Sequence, residues 1–283
     1  MINFIKHRYS YLFFSALMLI GVYFFVFTKG FVFSIDFLGG GLVEFVAKEA
    51  IVKKAEVLIK DKNLTFQRTS AGFIIKGTKL NKKAADSLTK QITNKTGAKQ
   101  KRFEVVGASL SSENSKKIVF ASLLSVAIIL LYIAYIFKGM RFAVAAVVAL
   151  LHDTLLLLGS WAFFGHFWGA EFDILFITSL LTIMSFSVHD TIVIFDKVKE
   201  ESKQGGGSLE DVINRALNLT MMRSINNSLT IIIMLTSLII LGGDSIRWFA
   251  VSLLVGTVLG TYSSPFVAVP VYYLLSKRTQ KGR

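Results

Sequence analysis

Ser187-Val-His-Asp-Thr-Ile-Val-Ile-Phe-Asp-Lys-Val-Lys-Glu200 decides how this 283-residue chain is read. The stretch begins inside an apolar run, carries His189 and Asp190 where a bilayer would place lipid, and emerges through Asp196 and Lys197, which read as interfacial. Holding a charged side chain at the centre of a spanning helix costs about 2.5–3.5 kcal/mol on insertion scales, so such residues face a bundle interior and act there. Asp190 is therefore the first functional candidate.

Composition places the rest of the chain in the same class. Hydrophobic residues make up 53% of it, 25 of them Phe, and they come in long blocks. The absence of cysteine excludes disulfides and Cys-ligated metals. A formal charge of +14 raises a nucleic-acid reading, but 18 of the 32 Lys and Arg, with 8 of the acidic residues, lie in residues 29–117, a polar block between spans. No nucleic-acid partner is expected.

Working outward from the opening stretch, span four covers Ile174–Phe195, and a charged loop, Asp196–Asn218 with Gly205-Gly-Gly207, leads to span five, Leu219–Leu241. Span six covers Trp248–Leu275. Upstream, span two is Ile118–Phe137, Lys138-Gly-Met-Arg141 turns the chain, span three is Phe142–Phe164, and His166–Asp173 is a short hydrophilic link. Tyr9–Thr28 is an uncharged run long enough to cross a bilayer of about 30 Å and reads as span one. A cleaved signal peptide is the alternative for it, disfavoured by its length and the lack of a small-residue cleavage site.

The polar block opens with Asp36-Phe-Leu-Gly-Gly-Gly-Leu-Val-Glu-Phe45, in which Leu42, Glu44 and Phe45 suggest an alternating strand. Helical spacing over Ala50–Asp61 and Lys82–Lys95, with strands at Leu64–Thr69, Phe73–Lys76 and Arg102–Val106, gives β-α-β-β-α-β. The glycine run lacks phosphate-loop spacing and its Lys-Ser/Thr, so a tight exit from span one is expected. The Lys-rich helices are solvated faces, with attraction to anionic lipid or an acidic partner as the sharper option. The expected fold is thus a polytopic α-helical membrane protein of six transmembrane helices with one extracytoplasmic α+β, ferredoxin-like domain between spans one and two. Its parts are residues 1–28 (N-terminus and span one), 29–117 (the outer domain), 118–275 (spans two to six, with the loop 196–218) and 276–283 (a basic tail).

Short-loop basic residues set the orientation. Lys6 and Arg8, Lys138 and Arg141, Lys197, Lys199, Lys203 and Arg215, and Lys277, Arg278, Lys281 and Arg283 fall on one side, whereas the links at 165–173 and 242–247 contain only Arg247. Both termini are expected in the cytoplasm and residues 29–117 outside.

This topology gives Asp190 a candidate partner in Arg223, at similar depth on span five. Arg223, Asn226, Asn227 and Thr230 form a polar stripe at i, i+3, i+4 and i+7, and span four offers Ser179 and Thr182 with Asp190. Facing stripes would hold water for a proton. Asp153, near mid-membrane in span three, is a second candidate at a depth distinct from that of Asp190. The bland alternative for each is a structural hydrogen bond or buried ion pair. His152 and His189 are expected to point away from the aspartates beside them and form no metal site. Ser252, Gly256, Gly260 and Ser264 recur every four residues in span six and read as a close-packing seam, with Pro265 and Pro270 bending the same helix.

Taken together, Asp36–Phe45, Val105-Val-Gly-Ala-Ser-Leu110, Ala149-Leu-Leu-His-Asp-Thr154, Ser187–Glu200, Met222-Arg-Ser-Ile225 and Gly260-Thr-Tyr-Ser-Ser-Pro265 resemble the SecF family of the bacterial Sec protein-export machinery, in order and over essentially the whole chain. That family is similar to the resistance, nodulation and division exporters. The resemblance implies a SecD partner, a place beside the SecYEG channel with the SecA ATPase, and use of the proton gradient to help draw preproteins across the cytoplasmic membrane. It also implies that Asp190 is the proton-carrying aspartate, Arg223 its arginine partner and Asp153 a recurrent acidic position. No cofactor is expected; the coupling ion is the proton, with sodium as the other option. A helix shift that changes the separation of Asp190 from Arg223 would alternate uptake with release.

Two other classes compete. A small-molecule exporter of the same superfamily would carry two homologous halves, whereas one is visible here. An intramembrane hydrolase would need His-Glu-x-x-His, Gly-x-Ser-x-Gly or an aspartate dyad, and neither motif is present. A structural scaffold for SecD is the remaining alternative, separable by substitution of Asp190.

Overall fold

The computed structural model describes residues 2–59, 64–106, 108–136 and 139–281. The expected helix end at Asp61, Gly107 of the 105–110 motif, Phe137 at the expected end of span two with Lys138 after it, and Arg283 of the tail lie outside the described residues. The chain forms two compact units, one of Met1–Phe31, Ser122–Ala170 and Leu175–Arg283, the other of Val32–Ala121 with Glu171–Ile174.

Helix α1 (Arg8–Lys29) is preceded by a tight turn at Ile5–His7. The first N–H groups of a helix lack partners within it. Here Asn214 Oδ1 accepts from the Phe4 and Ile5 amides at 2.9 and 3.2 Å, so that leading turn is satisfied by a side chain far along the sequence.

In the second unit Ser34 caps the short helix α2 (Ile35–Leu38), and Gly39 and Gly40, at φ 71° and 126°, turn the chain into β1 (Gly40–Val46). A Cβ on Gly40 would strike the backbone of Gly77 and Thr78, and one on Gly41 the Leu80 carbonyl. Close approach of two backbones, not a phosphate, explains the glycine run. Then come α3 (Glu49–Ile59), β2 (Thr65–Thr69), β3 (Gly72–Gly77), α4 (Lys82–Thr96) and β4 (Lys99–Val106). The sheet order is β2-β3-β1-β4 with every pair antiparallel, the arrangement of a ferredoxin-like unit.

Val43 and Phe45 of β1, Phe73 and Ile75 of β3, Val52, Ala55 and Ile59 of α3, and Ala85, Leu88 and Ile92 of α4 share one core. Both helices therefore cover the same sheet face. The β1 alternation differs from the sequence reading: Val43 and Phe45 are buried, while Leu42 and Glu44 lie on the other face, where Glu44 accepts from Lys101 at 2.7 Å. A register shift between Glu44 and Phe45 accompanies this pairing. Glu171 joins the unit through a largely buried 2.6 Å ion pair with Lys76, and Phe172 bridges to Phe33. Asn81 caps α4 by accepting from the Ala84 amide at 2.9 Å. Asn81→Ala is expected to lower the stability of this unit by about 1 kcal/mol, read as an earlier chemical-denaturation midpoint of the full chain.

After β4 the chain forms α5 (Ala108–Ile136), whose residues from Ser122 onward belong to the other unit, and then α6 (Met140–Trp168), α7 (Ile174–Gln204), α8 (Leu209–Leu241), α9 (Asp244–Ser263), a π-helical turn at Ser264–Ala268 and α10 (Val269–Lys281). Among the described residues, six helices are long and apolar enough to cross a membrane. Two sequence expectations change. Helix α6 runs on through His166 to Trp168, where Gly169 at φ 73° ends it, so the hydrophilic link is shorter; the His166 and Phe25 rings meet in a T-shaped contact with centroids 5.6 Å apart. The charged loop 196–218 is instead the ends of α7 and α8, joined by Gly205-Gly-Gly207 at positive φ and Ser208. Lys197 pairs with Glu200 and Glu201, Arg215 with Glu201, and Ser208 with Asp211 forms a capping box, so the charges support helix rather than loop. The α9 helix passes Pro265 by widening into the π turn, since proline removes an i to i−4 bond, and Pro270 falls in the first turn of α10.

Candidate functional site

Helices α7 and α9 run parallel with a constant offset. Ser179 meets Ser252 with the two Oγ atoms 2.5 Å apart, Ile183 covers Gly256, Ser187 covers Gly260, and Thr191 Oγ1 lies 2.9 Å from Ser264 Oγ. Four successive turns of each helix thus touch, 73 residues apart in every pair. Small side chains on α9 bring the helices close enough for hydroxyls to bond across. A Cβ on Gly256 would overlap the Ile183 side chain, and one on Gly260 would sit 3.2 Å from Ser187 Cβ.

Around this ladder two carboxylates are buried. Asp153 of α6, 2% exposed, accepts from Ser187 and Ser263 at Oδ2, each at 2.6 Å, and its Oδ1 lies 2.9 Å from His152 Nδ1. Asp190 of α7, 5% exposed, accepts from Ser224 Oγ of α8 at both oxygens, at 2.9 and 2.8 Å. Ser264 and His189 are its other electrostatic neighbours. Ser228, one turn beyond Ser224, lies 2.6 Å from Thr261 Oγ1 of α9. Hydroxyls therefore surround both acids. A hydroxyl both donates and accepts, so it can hand a proton on while remaining bonded.

The geometry corrects the expected partner of Asp190. Arg223 is exposed and makes no ion pair or hydrogen bond among the described residues, and Asn226, Asn227 and Thr230 are exposed with it. Thr220, Ser224 and Ser228 form the buried stripe of α8 instead. The reason is helical phase: residue 223 lies about 100° around the axis from 224, so only one of the two can face α7. Three hydroxyl residues at four-residue spacing were the available signal, masked by the louder arginine and asparagines. On α7, Ser179 is buried and bonded to Ser252, whereas Thr182 is exposed and donates to its own backbone at Thr178.

Two further readings change. His152 does reach its neighbour Asp153: both side chains are buried, and His152 Nδ1 lies 2.9 Å from Asp153 Oδ1. His189 is exposed and lines a niche of about 210 Å³ with Tyr132 and Ser185. The acids also lie nearer in depth than expected: Asp153 bonds Ser187, three residues from Asp190, which is an axial step of about 4.5 Å. Ser224→Ala is expected to destabilise the chain by about 1.5 kcal/mol, the lower range for a hydrogen bond to a charged group, measured as thermal denaturation in detergent.

Comparison with known proteins gives the family. Residues 86–278 match the model for "Protein export membrane protein SecD/SecF, C-terminal". A protein translocase subunit SecF from Sebaldella termitidis is 36% identical over 96% of this chain and 91% of the relative, and one from Anaerolinea thermophila is 31% identical over 95% and 92%. The crystal structure of SecDF from Thermus, described as a translocon-associated membrane protein, superposes with a TM-score of 0.87 at 28% identity. It covers 98% of this chain, which spans only 39% of that longer SecDF chain. A SecDF structure in a "Super-membrane-facing form" gives a TM-score of 0.69 at 29% identity, over 99% of this chain and 39% of the other. With a family model over most of its length and near full-length relatives of one kind, this multi-pass membrane chain belongs to the SecD/SecF protein-export family, among the SecF subunits.

Proposed function

We propose that this chain is the SecF member of a SecD–SecF pair in the bacterial cytoplasmic membrane, with both termini in the cytoplasm. It works beside the SecYEG channel after SecA and draws on the proton gradient to move preproteins outward. The observation that carries the reading is Asp190: a buried carboxylate inside an apolar helix, bonded by a serine hydroxyl rather than neutralised by a cation. Intramembrane acids so placed mark ion pathways.

The chemistry follows from hydrogen-bond roles. An ionised Asp190 accepts from Ser224 at both oxygens. Once protonated, one oxygen becomes a donor while the other still accepts, so Ser224 keeps one of its two present bonds and the contact between α7 and α8 changes. Each proton crossing the membrane supplies about 2.3 kcal/mol per 100 mV, enough over a few protons to shift packed helices. The close, small-residue contact of α7 with α9 gives such a shift a smooth surface to act along.

Arg223, Asn226, Asn227 and Thr230 support the partner. Polar groups on a spanning helix do not face acyl chains, so another protein covers this side of α8, and SecD is that partner. Arg223 would then act on the ion path from the interface. Asp153 is a second acid on the same path.

Ion flux tests the reading. Sealed vesicles bearing the assembled pair and an entrapped pH dye are given a proton gradient. Uptake is expected with the native chain and absent with Asp190→Asn. Equal flux in both rejects the proposal; flux that follows sodium and ignores protons reassigns the ion.

A further inference from the structure

One buried ionisable group has no task in this scheme. His152 is 5% exposed, its Nδ1 is bonded to Asp153, and its Nε2 is buried with no hydrogen-bond partner among the described residues. A buried polar atom left unbonded is costly, and its persistence calls for a use. The other side of Asp153 is fully engaged, since Ser187 and Ser263 both donate to Oδ2. The carboxylate thus fixes the ring through Oδ1 and is itself fixed through Oδ2, leaving Nε2 as the free position of a rigid pair.

The surroundings connect this pair with Asp190. Ser187 lies on the helix that carries Asp190, and Ser263 precedes Ser264, which bonds Thr191. Among the described residues, the ionisable groups in contact with the ring are Asp153 on α6 and Tyr262 on α9, whose ring centre is 6.3 Å away. Tyr262 Oη in turn lies 3.0 Å from Ser15 Oγ of α1 and donates to the Tyr11 carbonyl at 3.4 Å. Ser15 is the buried residue of α1. A polar trail from Ser15 through Tyr262 therefore reaches the neighbourhood of His152.

We propose that His152 and Asp153 form a second proton-holding centre, in which His152 gains and loses the proton at Nε2 while Asp153 orients the ring and shares its charge. The inference rests on the reading that this bundle carries protons. With Nδ1–H donated to Asp153, the neutral ring presents a lone pair at Nε2; a proton arriving there gives the imidazolium beside the carboxylate. The same proton leaves from Nε2, so one is gained and one lost per cycle and no other reactant is needed. Because Asp153 is tied to α7 and α9 through Ser187 and Ser263, the charge state of the ring bears on the helices that hold Asp190.

The test uses the assembled SecD–SecF pair. A chain with His152 as its sole histidine (His7→Gln, His166→Gln, His189→Gln) is labelled for ¹⁵N NMR. The ring is expected to carry protons on both nitrogens at about pH 5 and on one at about pH 9. An unchanged ring over that range overturns the proposal. In parallel, His152→Asn keeps an N–H donor for Asp153 but cannot titrate. Gradient-driven export is expected to fall at least about tenfold while the chain still copurifies with its partner. Export within about twofold of native would leave a structural hydrogen bond alone and also overturns the proposal. If Asp190→Asn leaves export unchanged, the underlying proton reading fails; if it abolishes export and His152→Asn does not, only the second centre fails. Should His152→Asn not assemble, the NMR result decides.

Discussion

Asp190→Asn is expected to reduce the gradient-driven part of protein export to the level of membranes lacking this chain, with normal insertion and pairing. Asparagine matches aspartate in size, and its amide oxygen still accepts from Ser224, so the contact between α7 and α8 keeps one of its two present bonds. What disappears is a group able to exist with and without a proton. The measurement is translocation of a preprotein into inverted membrane vesicles, with and without an imposed proton gradient. Export that remains equally responsive to the gradient would remove Asp190 from the coupling path. Export that falls equally in the absence of a gradient would make the residue structural. Arg223→Ala sharpens the comparison, because Arg223 is exposed and makes no ion pair or hydrogen bond among the described residues. It is expected to leave the thermal stability of the isolated chain unchanged and to act only in the assembled pair.

The second large effect is on packing. Gly256→Leu is expected to destabilise the bundle by about 3 kcal/mol, the upper part of the range for overpacking a core, and to lower the amount of folded chain recovered from membranes. Even a Cβ at this position would overlap the branched side chain of Ile183, which is itself buried at 4% exposed. A leucine would force α9 away from α7. Since Ser252 bonds Ser179 one turn before Gly256, and Ser264 bonds Thr191 two turns after it, separation would break hydroxyl contacts in both directions. Gly260→Ala is the graded companion: its Cβ would stand 3.2 Å from Ser187 Cβ, so a shift of a few tenths of an ångström relieves it. Fluorescence-detected size-exclusion melts of the two variants should rank Gly256→Leu well below Gly260→Ala, with Gly260→Ala close to native. The reverse order would remove the seam as an explanation for these glycines.

The membrane layout was legible because its signals are local. Uncharged runs such as Tyr9–Thr28 report spans by length alone, and the strand and helix periods of residues 40–106 report the β-α-β-β-α-β order without knowledge of what packs on what. Asp190 and Asp153 were legible for a related reason: a charge inside an apolar run is conspicuous whatever surrounds it. The charged stretch 196–218 misled because loops and solvated helix ends have similar compositions. Its i, i+4 pairs and the Ser208–Asp211 cap were the better guide.

From sequence alone, this protein is a six-span membrane chain with a small α+β domain between spans one and two and acids within its apolar runs, since hydropathy and periodicity act residue by residue. The tertiary structure decided which groups meet those acids. Phase differences of a single residue on α8 exchange Arg223 for Ser224, and a constant offset between α7 and α9 turns scattered serines and glycines into one contact surface. Those choices depend on how each helix is rotated about its axis, which packing against several neighbours fixes and one helix's pattern does not contain.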